Sequence, residues 1–104
     1  MKYISTALLF IFSTLSFAQD DSEWNAVAKQ LKKKATVKVS NLNLPGYCNV
    51  FVELKHTKRY AIVVKVTSSG DYKICKASKS AIKKGEKYKY RTPEKYLRIH
   101  IAIE

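Results

Sequence analysis

The chain has 104 residues, with 20 Lys and Arg against 8 Asp and Glu, and a formal net charge of +12. This length allows one domain, so a multidomain enzyme and a full doubly wound cofactor fold are excluded. A hydrophobic content of 46%, with 12% aromatic residues, argues against intrinsic disorder. We therefore expect a small, strongly basic globular domain.

The N-terminus has the pattern of a secretory signal peptide. Lys2 gives a basic start, residues 3–17 are mainly apolar, and small residues precede a cleavage site after Ala18. The apolar run is shorter than the roughly 20 residues of a membrane span, although an uncleaved anchor is the alternative. We expect a signal peptide over residues 1–18 and an exported domain, periplasmic or secreted, over residues 19–104. Loss of Lys2 takes the charge from +12 to +11.

Cys48 and Cys75 are the two cysteines. An exported chain with two cysteines has one intramolecular pairing, which would stabilise the fold by roughly 3–4 kcal/mol in the chain-entropy picture. A reactive thiol pair or two metal ligands are the alternatives. However, the chain has no C-x-x-C motif, and His56 and His100 lack zinc-finger spacing with these cysteines. We expect a structural disulfide, no metal and no cofactor.

The first predicted element is an amphipathic helix over residues 22–38, with Ser22 as its N-cap. Apolar residues recur there at three- and four-residue spacing and form the predicted core face. They are Trp24, Val27, Ala28, Leu31 and Ala35. A turn-rich connection over residues 41–46 follows.

Two alternating segments then predict a β-hairpin, with strands over residues 47–55 and 60–67 and a polar turn between them. The apolar face of the first strand carries Cys48, Val50, Val52 and Leu54. That of the second strand carries Tyr60, Ile62, Val64 and Val66.

A second helix over residues 72–84 and a last strand over residues 96–103 complete the predicted elements. The order helix-strand-strand-helix-strand predicts an α+β fold. Its three-stranded antiparallel sheet has the order 2-1-3 and helices on one face. Strands 60–67 and 96–103 would be the sheet edges, and the disulfide would join the first strand to the second helix.

Three stretches of the sequence resemble the C-terminal periplasmic domain of TolA, which is related in fold to that of TonB. They are Tyr47-Cys48-Asn49-Val50-Phe51-Val52-Glu53-Leu54, then Ser68-Ser69-Gly70-Asp71, and Cys75 followed by Ala77 and Ala81-Ile82. The resemblance covers residues 23–104.

The resemblance to TolA implies a binding domain that takes extended segments of Tol-system envelope proteins, colicins or phage adsorption proteins at a sheet edge. We expect neither the membrane anchor nor the helical stalk of that family here. An accessory protein or a decoy is therefore expected.

A binding role also agrees with the scattered acidic residues and the absence of nucleophile and phosphate-loop motifs, from which we expect no enzyme. The candidate partner-binding edges lie on the second and the last strand. Their residues are Tyr60, Ile62, Val64, Leu97, Arg98, Ile99, His100 and Ile101.

Basic residues form two candidate patches. One on the first helix comprises Lys29, Lys32, Lys33 and Lys34, and one after the second helix comprises Lys83, Lys84, Lys87, Lys89 and Arg91, interleaved with Tyr88 and Tyr90. Such interleaving is typical of nucleic-acid binding, and binding to anionic lipid is a related alternative. Because an exported protein rarely meets nucleic acid, we expect the charge to steer the domain to acidic proteins or envelope lipids.

Overall fold

The structure is a computed structural model that describes residues 20–103, so the predicted signal peptide lies outside the described residues. It is an α+β fold of two helices and four strands. The elements are a 3-10 helix Asp21–Glu23, α1 (Ala26–Ser40), β1 (Gly46–His56), β2 (Tyr60–Gly70), α2 (Tyr72–Ala81), β3 (Lys87–Lys89) and β4 (Tyr96–Ile103). None of the helices within residues 20–103 is long and apolar enough to cross a membrane.

Helix α1 begins three residues later than an N-cap at Ser22 predicts. The Asn25 side chain caps it by accepting a hydrogen bond from the Ala28 N–H at 3.0 Å. Trp24 therefore stands outside the helix and is 58% exposed, so its predicted place on the core face is wrong. Val27, at the start of α1, is buried as predicted.

The sheet is antiparallel and has the order β3-β2-β1-β4. The predicted arrangement of the three longer strands is confirmed, with β1 in the centre. The predicted count of three strands is wrong, because Lys87–Lys89 pairs with residues 60–62 of β2. Three residues with only one apolar side chain, Tyr88, carry too little periodicity to predict a strand.

A β-bulge interrupts the hairpin. Glu53 lies opposite Lys65 and Leu54 lies opposite Val63, so Val64 is an extra residue on β2. Because side chains alternate with a period of two, one inserted residue exchanges the two faces of the strand beyond it.

The bulge reverses the prediction for the first half of β2. Ala61 and Val63 are 0% and 1% exposed and belong to the core, whereas Tyr60, Ile62 and Val64 are only half-buried. The predicted core face of Tyr60, Ile62 and Val64 is therefore wrong. Beyond the bulge, Val66 packs against the core as predicted.

Both helices pack on the same face of the sheet, α1 against β4 and α2 against β1 and β2. The Cys48–Cys75 disulfide joins β1 to α2, with 5.1 Å between the Cα atoms, and confirms the predicted bridge. A disulfide is compatible with an exported protein.

A close approach of the backbone lets α2 turn back under the sheet directly after β2. Gly70 has a φ of +138°, and a Cβ there would lie 2.7 Å from the Tyr47 carbonyl oxygen. The next residue, Asp71, accepts a hydrogen bond from the Tyr47 N–H at 2.8 Å through its carboxylate. The end of β2, the start of β1 and the start of α2 are thereby held together.

The bulge predicts unequal effects for two neighbouring valines. Val63→Ala should lower the free energy of unfolding by about 1.5–3 kcal/mol, because Val63 is fully buried. Val64→Ala should cost less than half as much. Urea denaturation of both variants measures the difference, and a larger loss at Val64 would contradict the bulged register.

The disulfide closes a loop between residues 27 positions apart, and its reduction should lower the free energy of unfolding by roughly 3–4 kcal/mol. Urea denaturation with and without reductant measures this change. The double variant Cys48→Ala/Cys75→Ala is the control, since reductant should not affect it. An equal response to reductant in both proteins would contradict the bridge.

Candidate protein-binding edges and basic surface

The outer edge of β4 carries the backbone groups of every second residue. The Leu54 N–H donates to the Lys95 carbonyl at 2.7 Å, which shows that odd-numbered residues of this segment face β1. Arg98 and His100 therefore direct their backbone groups outward. One of these groups is already bound, because the Arg98 N–H donates to the Asp21 carboxylate at 2.8 Å.

The predicted edge residues of β4 divide into two sets. Leu97, Ile99 and Ile101 are 0–2% exposed, and their side chains lie in the core under the edge. Arg98 and His100 lie on the opposite face of the sheet. Any recognition by β4 would therefore use its backbone and the outer side chains.

The predicted edge of β2 is covered along its first half. Tyr60 and Ile62 lie opposite Lys89 and Lys87 of β3. The Val63 N–H donates to the Glu86 carbonyl at 3.0 Å and extends this pairing to the bulge. The part of β2 before the bulge is therefore not a free edge.

Beyond the bulge, the outer edge of β2 is open. The Asp71 N–H donates to the Tyr47 carbonyl at 2.9 Å, so odd-numbered residues here face β1 and Val66 and Ser68 direct their backbone groups outward. Among residues 20–103, no hydrogen bond occupies these outward groups. We name residues 64–70 the distal edge of β2.

A groove of about 400 Å³ lies beside the distal edge, between the end of β2 and α2. Its walls include Tyr72, Lys76 and Lys79, all of them exposed, together with Cys75 of the disulfide. Tyr72 is 75% exposed, which is unusual for a large aromatic side chain. The groove thus offers one aromatic and two cationic side chains next to unpaired backbone.

Each of the two histidines packs against a tyrosine ring. His100 Nδ1 lies 2.7 Å from Asn49 Oδ1, and its ring stacks on Tyr47 with 5.9 Å between centroids. His56 meets Tyr90 edge to face at 4.7 Å. Within residues 20–103 there is no group of three His, Cys, Asp or Glu side chains that could hold a metal ion.

The N-terminal segment is anchored to α1 through Asp20. Its carboxylate binds the Lys32 ammonium and accepts hydrogen bonds from the Ser22 N–H at 3.0 Å and the Ser22 hydroxyl at 2.7 Å. Burial raises the pKa of Asp20, but these hydrogen bonds outweigh it and hold the pKa below the ordinary 3.8. The charge of Lys32 is consequently paired with that of Asp20, so Lys32 does not add to a free basic surface.

A second polar cluster joins α1 to β3. Lys34 Nζ donates to the Tyr88 hydroxyl at 2.8 Å and lies 3.2 Å from Glu86 Oε1, which also accepts from the Tyr88 hydroxyl at 2.7 Å. Burial and the bond to Glu86 raise the pKa of Tyr88 above 10.0, and the bond from Tyr88 lowers the pKa of Glu86. The two predicted basic patches are thereby brought side by side.

The remaining predicted basic residues divide between two places. Lys29 and Lys33 of α1 line one groove together with Arg91. Lys83, Lys84, Lys87 and Lys89 are exposed around β3, where Lys87 Nζ lies 5.9 Å from the Tyr60 ring centroid. Of the interleaved tyrosines, Tyr88 is buried, and the Tyr90 hydroxyl donates to the Thr57 carbonyl at 2.6 Å.

Sequence reasoning included residues 64–67 in a candidate edge but missed the rest of the distal edge of β2, together with Trp24 and Tyr72, as possible binding elements. The only sequence signal for the distal edge is its neutral run of small residues after Lys65. No family model, curated protein or solved structure matches this chain. The likeness to TolA therefore stays a prediction from the residues.

The polar cluster at Tyr88 predicts an alkaline effect on stability. The pKa of Tyr88 is higher in the folded protein than the 10.0 of the unfolded chain. The contribution of the Tyr88 hydroxyl to the free energy of unfolding is therefore complete below pH 10.0, and it is lost as the pH rises through the folded pKa. When the pH is raised from about 8 to about 11, the free energy of unfolding should therefore fall less in Tyr88→Phe than in the wild-type protein.

Urea denaturation across this range measures the effect, and Tyr72→Phe is the control because Tyr72 is 75% exposed. The control should follow the wild-type pH dependence. The same slope in wild type and Tyr88→Phe would contradict the assigned cluster.

Proposed function

We propose that this chain is a non-catalytic binding domain of the cell envelope that takes an extended segment of another protein as an additional strand. The observation that carries the proposal is the open backbone of the distal edge of β2. In strand addition, the backbone of the partner forms hydrogen bonds with a row of unpaired N–H and C=O groups like those of this edge. The resemblance to TolA supports a segment of a Tol-system, colicin or filamentous-phage protein as partner.

The distal edge suits this role better than β4. Asp21 already binds the Arg98 N–H where a strand would join β4. The distal edge is free of such a contact within residues 20–103, and beyond Lys65 it carries no charged side chain. Charged residues and covering segments are the usual protection of an edge against pairing, and within the described residues this edge has neither beyond Lys65.

The surroundings of the distal edge favour a partner with apolar and acidic side chains. Tyr72 in the adjacent groove offers an aromatic surface, and Lys76 and Lys79 offer positive charge. The surplus of basic residues would speed the encounter with an acidic segment by long-range attraction. In this proposal the chain acts as an accessory to a resident TolA or as a decoy for its partners.

The proposal is tested by capturing periplasmic proteins on the full chain and then measuring the affinity for the captured segment as a synthetic peptide. Ser68→Pro removes one outward N–H from the distal edge without removing a bond to β1. It should weaken peptide binding by about tenfold. Ala102→Pro, the matched change on the outer row of β4, should leave the affinity within about twofold.

Hydrogen exchange supplies the second measurement. The Val66 and Ser68 amides should exchange quickly in the free protein and become protected with peptide bound, while the Thr67 amide, which faces β1, is protected throughout. Loss of affinity in Ala102→Pro alone would move the site to β4. Binding that ignores both prolines and vanishes at about 0.5 M salt would instead support a charge-dominated ligand such as nucleic acid or anionic lipid.

A further inference from the structure

A second groove, of about 650 Å³, lies between the first turns of α1 and the segment after β3. Residues Ala26, Lys29, Gln30 and Lys33 share one stripe of α1, because they are three and four positions apart. Arg91 and Thr92 form the facing wall, and Trp24 lies at the start of the stripe. We name this space the Trp24 groove.

The cations of the Trp24 groove are not neutralised by carboxylates. Within residues 20–103 the structure records two ion pairs, Lys32 with Asp20 and Lys34 with Glu86. Asp20 and Glu86 are thereby bound to lysines outside the groove, and the Asp21 carboxylate accepts from the Arg98 N–H. Three positive charges, those of Lys29, Lys33 and Arg91, therefore line the same groove. They repel one another, and together they attract an anion.

Trp24 gives the groove an apolar platform. It is 58% exposed, and it lies outside the helix because Asn25 caps α1 after it. The face of an indole ring carries partial negative charge and attracts the C–H face of a sugar ring or the plane of a base. Gln30 and Thr92 add amide and hydroxyl groups that can bind ligand hydroxyls.

The number of aromatic rings favours a sugar over a nucleic acid. Single-strand binding stacks successive bases on several aromatic side chains along a basic groove. Here Trp24 is the one aromatic residue in the wall of the groove. Tyr88 is buried, and Tyr90 is bound to Thr57, so neither continues the row.

We propose that the Trp24 groove binds an anionic saccharide, whose ring stacks on Trp24 while its carboxylate or phosphate groups pair with Lys29, Lys33 and Arg91. This site uses residues other than those of the distal edge of β2 and does not depend on the strand-addition proposal. A planar, forked guanidinium such as Arg91 suits either anionic group.

The chain reports on this site directly, because Trp24 is its one tryptophan. Titration of the full protein with a short oligogalacturonate and with a phosphorylated oligosaccharide should change the tryptophan fluorescence saturably at about 0.15 M salt. A neutral malto-oligosaccharide should not. Absence of binding to both anionic probes would overturn the proposal.

The triple variant Lys29→Gln/Lys33→Gln/Arg91→Gln should weaken the binding of the anionic probe by about tenfold. Its matched control is Lys55→Gln/Lys58→Gln/Arg59→Gln around the hairpin turn, which loses the same two lysines and one arginine at exposed positions and should change affinity less than twofold. An equal loss in both triple variants would show a response to overall charge and would overturn the assigned site.

Two further measurements separate a saccharide from other polyanions. By calorimetry, Trp24→Ala should also weaken saccharide binding severalfold, because the stacking platform is removed. Poly-aspartate of equal charge should bind more weakly than the oligogalacturonate. Equal affinity for poly-aspartate, or tighter binding of oligothymidylate with the same dependence on Trp24, would overturn the saccharide assignment.

Discussion

The covalent link between Cys48 and Cys75 is the constraint on which the rest of the fold depends. Cys48 lies in the central strand and is fully buried, and Cys75 lies on α2 beneath it. A domain of this size buries a modest core, so a cross-link between its two layers is a large part of its stability. The disulfide holds α2 under the sheet, so the chain must turn sharply between the end of β2 and the start of α2. Gly70 permits this turn because its φ is positive and a side chain there would collide with the Tyr47 carbonyl.

The bulge at Val64 divides β2 into two halves with different neighbours. Before the bulge at Val64, β2 is covered by β3 and its core face is Ala61 and Val63. After the bulge, its outer backbone is open and the groove of Tyr72 lies beside it. A single inserted residue thus separates a paired segment from the edge that we propose for partner binding.

The high charge of the chain is organised by a few ion pairs. Asp20 and Glu86 bind Lys32 and Lys34, which fastens the N-terminal segment and β3 to α1. Five of the cations outside these ion pairs border two grooves: Lys76 and Lys79 lie beside the distal edge of β2, and Lys29, Lys33 and Arg91 lie at Trp24. An excess of basic residues therefore gives two distinct cationic surfaces, with separate proposed ligands.

The sequence by itself determined the α+β class, the central position of β1, the disulfide and the strand of Leu97, Ile99 and Ile101, because alternation and cysteine count are local signals. Tertiary structure alone decided two features, the bulge at Val64 and the pairing of Lys87–Lys89 with β2. The cap at Asn25 is instead a local contact with Ala28, which the sequence interpretation placed three residues too early. A bulge is a mismatch between two strands, and a three-residue strand exists only beside its partner. Neither leaves a periodic trace in one segment of chain, so both candidate binding sites depended on contacts between distant residues.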